Sequence, residues 1–86
     1  MHKYLISYDV SASEYTSLYK YIQKHDNVHL TESLFAIKSY KTQAQIRDDL
    51  EACVSANSSI FVTKLNGYAC KNPIDGVSKL STFYNS

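Results

Sequence analysis

Apolar residues recur along this chain with two different periods, and the switch between them predicts its elements. From Lys3 to Asp9, KYLISYD, the residues Tyr4, Leu5, Ile6 and Tyr8 suit a pleated, half-buried surface, so a strand is expected there. It ends abruptly in a carboxylate. The next apolar residues, Tyr15, Leu18, Tyr19 and Ile22, fall at i, i+3, i+4 and i+7, which marks one face of a helix. Ser11-Ala12-Ser13-Glu14 has the form of a capping box at its start, and His25-Asp26-Asn27 offers polar, turn-prone residues at its end.

Val28–Thr31 and Ser33–Ser39 lack helical spacing and are too apolar for a loop. They read as two strands bent or hairpinned near Thr31-Glu32. In the second, Leu34, Ala36 and Lys38 face one way and Phe35, Ile37 and Ser39 the other, so the strand is apolar on both sides and belongs at the centre of a sheet. Thr42-Gln43-Ala44-Gln45 repeats the capping-box form, and Ile46, Leu50, Cys53 and Val54 follow on one helical face. Ile60–Leu65 is a last strand, and Asn66-Gly67 closes it with a turn signal. Residues 66–86 show no sustained period. They read as a C-terminal arm, extended and either docked on a surface or partly disordered, with Tyr68–Cys70 allowing one short extra strand.

The order strand, helix, strand, strand, helix, strand predicts an α+β chain of ferredoxin-like βαββαβ form. A four-stranded antiparallel sheet carries both helices on one face, within a single domain spanning 1–86. Its other face is left bare yet apolar. A two-fold homodimer is the economical cover for such a face.

Composition sharpens the picture only in places. With 44% hydrophobic and 20% charged residues the chain fits a globular class, and no apolar run nears the roughly 20 residues a membrane span needs. The opening MHKYLISYDV lacks a secretory leader pattern, and Cys53 and Cys70 fit neither a metal motif nor a disulfide scaffold. Reduced thiols and a cytoplasmic location are therefore expected. A net charge of +1 excludes a protein that coats nucleic acid by bulk charge, so any such contact needs a local site or a dimer groove.

Asp9 is the foremost candidate for chemistry, because a carboxylate at the end of an apolar strand is either functional or turns the chain into the next helix. Tyr4 and Tyr8 read as sheet core or dimer interface. Ser7 and Ser33 have no suitably spaced His and acid, so a nucleophilic role is not supported. His25 and His29 straddle a turn, which removes helical ligand spacing. Lys38, Lys41 and Lys64 sit at strand ends or in the adjoining loop, where they make a modest basic patch or a solvated rim.

Together KYLISYDV, the helix after it and TESLFAIKS at Thr31–Ser39 resemble the CRISPR-associated Cas-two family and its virulence-associated protein D type relatives. Tyr8-Asp9 matches the family's strand-end pair, and Ser33-Leu34-Phe35 its serine–aliphatic–phenylalanine element. The resemblance spans Lys3 to Leu65. It implies a homodimer acting as a metal-dependent endonuclease on RNA or DNA, with Asp9 as the catalytic metal ligand for Mg2+ or Mn2+. Two copies of Asp9 across a two-fold axis would share one ion. The chain departs from the family just after Asp9, where Ser11-Ala12-Ser13 replaces phosphate-holding arginines and Arg47 is the only arginine. That departure favours the alternative of a catalytically inactive dimeric scaffold that binds protein or nucleic acid.

Overall fold

The structure is a computed structural model and describes all 86 residues. Strand β1 runs His2–Asp9, helix α1 Ala12–Gln23, β2 Asn27–Thr31, β3 Leu34–Ser39, α2 Gln43–Glu51, β4 Ser59–Lys64 and α3 Val77–Asn85. The strands form one antiparallel sheet in the order β2-β3-β1-β4, the ferredoxin-like arrangement that the element order predicts.

Alternation along β1 divides its side chains between the two faces. Tyr4, Ile6 and Tyr8 join Phe35, Ile37, Leu18, Ile22, Ile46 and Leu50 in the main core, beneath α1 and α2. Burying each such side chain contributes roughly 1.5–3 kcal/mol. The two expected capping boxes have different outcomes. At α2, Thr42 Oγ1 accepts from the Gln45 amide at 3.2 Å while Gln45 Oε1 accepts from the Thr42 amide at 2.9 Å. At α1 the Ser11 side chain makes no cap; its hydroxyl donates to Glu14 at 2.7 Å. Glu14 instead reaches across to Ser55 and Ser58, tying the start of α1 to the loop before β4.

The C-terminal arm is where structure and expectation part. No strand forms at Tyr68–Cys70, and Val77–Asn85 is a helix on the opposite sheet face. Leu80 and Phe83 are buried against Val28, Ala36 and Leu65, with Leu5, Leu30 and Tyr84 packed around them. Gly76 opens the helix at φ 93°, a conformation glycine adopts without cost. The second face is therefore not bare. One part lies under α3, and the part around Ser7 and Phe61 stays open.

Before α3 the chain also seals the outer edge of β2. The Ile74 and Asp75 amides donate to the Leu30 and His29 carbonyls at 2.9 and 3.0 Å. The Asp75 carboxylate accepts from the His29 amide at 2.8 Å.

Candidate functional site

Asp9 is the last residue of β1, exposed, and paired in register with Ser59. The helix that follows is entered through Ser11, so Asp9 does not serve as its cap. It forms no ion pair. Beside it lies a shallow hollow of about 400 Å³ lined by Tyr8, Asp9, Ser11, Tyr15, Glu32 and Ser33, among others. Glu32 enters this hollow from the β2–β3 turn. β1 lies next to β3, and the Tyr8 amide donates to the Ser33 carbonyl at 3.2 Å, which places that turn beside the end of β1.

Tyr8 fixes the same corner from below. Its hydroxyl donates to the Glu32 carbonyl at 2.9 Å, and its ring stacks on Phe35 with centroids 6.3 Å apart. Burial, the Tyr15 hydroxyl and the Glu32 carboxylate all push the Tyr8 phenol upward, so it stays protonated at neutral pH. It is a fixed donor and not a base.

Sequence reasoning singled out Asp9 and missed Glu32, which is nonetheless the second carboxylate on the hollow. A polar residue in a two-residue turn carries no sequence signal of its own. Only strand pairing shows that the turn lies beside the end of β1. No third His, Cys, Asp or Glu joins the two to make a larger ligand cluster.

The other candidates disperse. Lys38 pairs with Asp26 at 3.4 Å and lies over the Phe83 ring at 4.9 Å, while Lys41 pairs with Asp49 at 2.6 Å. Two of the three expected patch lysines are thus neutralised. Lys64 lies in register with Tyr4, at the end of the sheet away from Asp9. His25 Nδ1 sits 3.0 Å from the Tyr21 carbonyl at the end of α1, whereas His29 stacks on Phe35 at 4.0 Å. Tyr4 is a core residue whose hydroxyl donates to the Lys41 carbonyl at 2.6 Å. Both cysteines are free, and no helix is long and apolar enough to cross a membrane.

Neither the profiles of known protein families nor the curated proteins give a match to this chain.

Proposed function

We propose that this chain is a Cas-two-like protein that takes a divalent cation, Mg2+ or Mn2+, at the hollow beside Asp9 and acts on RNA or DNA as an endonuclease. The observation that carries this reading is the pairing of two exposed carboxylates, Asp9 and Glu32, on one hollow whose other polar groups include the Ser33 and Tyr8 hydroxyls. That donor set is all oxygen, which suits a hard cation that keeps several waters. When bound, such an ion stabilises charge on a phosphodiester and acidifies a water. Asp9 and Glu32 would hold it. Tyr8, spent on the Glu32 carbonyl, would keep the turn at its present height and so set the spacing of the two carboxylates.

A second reading is a catalytically silent scaffold, and a specific observation favours it. No lysine or arginine lines the hollow. Lys3 lies six residues up the strand from Asp9, about 20 Å at the usual strand rise, and Lys64 is at that same far end. Nothing beside Asp9 replaces the family's phosphate-holding arginines.

The two readings separate in one experiment. Mn2+ binding is titrated by electron paramagnetic resonance for the wild type, Asp9→Asn and Glu32→Gln, and the same proteins are incubated with RNA and duplex DNA with cation or with chelator. The enzyme reading expects binding and cleavage that both variants lose. Cation binding absent from the wild type, or cleavage equal in all three proteins, refutes it. Nucleic-acid binding without cleavage supports the scaffold.

A further inference from the structure

Helix α3 covers only part of the sheet face on which it packs. Leu80 and Phe83 bury Val28 and Ala36, whereas Leu5, Leu30 and Leu34 on that face stay half-buried. Residues 67–73 cross above these three leucines as a strap. Between strap and sheet lies a groove of about 450 Å³, walled by Leu65 and Leu80. That volume falls within the roughly 300–1,000 Å³ of small-molecule sites, which are likewise mostly apolar with a few placed polar groups.

The strap is hydrogen-bonded only at its two ends. The Gly67 amide donates to the Tyr84 hydroxyl at 2.8 Å, and the Ile74 amide donates to the Leu30 carbonyl at 2.9 Å. Near the first of these ends the Tyr68 ring meets the Tyr84 ring edge-on, with centroids 5.0 Å apart. From Tyr68 to Asn72 no backbone N–H or C=O bonds to another group of the chain. Lys71 stands in that same stretch. It is the only charged residue on the groove, it is exposed, and it forms no ion pair.

We propose that this groove binds a small amphipathic anion, an unbranched medium-chain carboxylate, with its tail along Leu5, Leu30 and Leu34 and its head at Lys71. Charge complementarity selects the head, because one unpaired cation at the rim of an apolar groove is matched by one negative group. Polarity selects the tail. An alkyl chain lays no hydrogen-bonding group on a floor of leucine side chains, whereas a peptide brings an amide at every residue and leaves it unpaired there. The backbone edge that a peptide could pair with, that of β2, is already taken by Ile74 and Asp75. A folded partner would meet the strap before it met the leucines. With no bond to break between Tyr68 and Asn72, the strap can lift to admit the tail and settle on it. The site stands apart from the cation reading, since no residue of the groove lines the hollow of Asp9.

Cys70 lines the groove and reports its occupancy, while Cys53 lies outside it and serves as the internal control. Alkylation of both thiols by iodoacetamide is followed by peptide mass in the native chain, with decanoate added below its micelle concentration. Decanoate is expected to slow the reaction of Cys70 saturably and to leave Cys53 unchanged. Octanoate, with a shorter tail, should bind at least roughly fivefold more weakly, because each methylene adds apolar area to bury. Decanol, which has the tail without the charge, should bind about fivefold more weakly than decanoate. Lys71→Gln, at an exposed position that leaves the fold intact by circular dichroism, should weaken decanoate about fivefold and leave decanol unchanged. Unaltered alkylation of Cys70, protection that never saturates, or equal slowing of both cysteines overturns the proposal. So does a decanoate affinity equal to that of decanol or indifferent to Lys71→Gln. Protection that grows with protein concentration alone would make a second copy the occupant, and stronger protection by a capped tri-leucine peptide would make a peptide the occupant. Either result also overturns it.

Discussion

Leu80 offers the sharpest test of how the C-terminal helix is held. Helix α3 has nine residues, VSKLSTFYN, most of them poor helix formers, and an isolated helix that short is marginal in water. Its stability must therefore come from the residues it buries. Leu80 is 2% exposed and packs among Val28, Ala36 and Leu65. Truncating a buried leucine to alanine costs about 2–5 kcal/mol, depending on how far the site collapses. Leu80 also forms one wall of an apolar groove of about 450 Å³ beneath residues 67–73, and that groove opens to solvent. Its lining can settle into the vacated space, so Leu80→Ala is expected near the lower end, about 2–3 kcal/mol. Leu18, 0% exposed in the main core, has no such outlet, and Leu18→Ala belongs at about 3–5 kcal/mol. A chain of this size has roughly 4–13 kcal/mol in total, so either loss is large. With a urea slope of about 1–1.5 kcal/mol per molar, Leu80→Ala should lower the unfolding midpoint by roughly 2 M. Native-state hydrogen exchange locates the effect: the Ile74 and Asp75 amides, bonded to the β2 carbonyls, should lose protection first. A midpoint drop under about 0.5 M with both amides still protected would show that α3 contributes little to the cooperative fold.

Three further outcomes follow from single contacts. The His29 amide, and then the Lys79 ammonium at 3.1 Å, hold the Asp75 carboxyl below its usual range despite partial burial. A depressed folded value means stability present above the unfolded value of about 3.9 and lost as pH falls through the folded one. Asp75→Asn should therefore be less stable than wild type at pH 7 and lose less below pH 4, as read by thermal melts across that range. Thr42→Ala breaks the capping box of α2 and should cost about 1 kcal/mol in urea unfolding, with Ser11→Ala costing less because Ser11 does not cap α1. Tyr8→Phe leaves the Glu32 carbonyl without its buried donor and should cost about 1 kcal/mol. If Tyr8 also sets the spacing of the two carboxylates, the same variant weakens Mn2+ binding, whereas an unchanged affinity separates the turn from the cation.

Much of the fold was legible because its signals are local. The stripe at Leu18 and Ile22, the alternation through Leu34–Ser39 and the Thr42 box each read directly from neighbouring residues; α1 and β3 formed within a residue or two of their expected bounds, whereas α2 ends at Glu51 and leaves Cys53 and Val54, expected on its buried face, in the turn beyond it. Helix α3 was not legible in the same way. Leu80, Phe83 and Tyr84 do lie on one helical face, but Gly76 and a run of Ser and Thr hide the period. The α1 box failed for a related reason: Glu14 found Ser55 and Ser58, partners 41 and 44 residues away.

The sequence alone determined the kinds and order of the elements from β1 to β4, and that an aspartate would end the first strand. Periodicity and capping act within a few residues, so they need no knowledge of the rest of the chain. Tertiary structure decided what stands beside what. It brought Glu32 to the hollow of Asp9, drew α3 onto the face that seemed bare, sealed one sheet edge with Asp75 and left the other open at Phe61. Those outcomes depend on strand order and on burial summed over distant segments, where free energy is set by area and pairing that no local window contains.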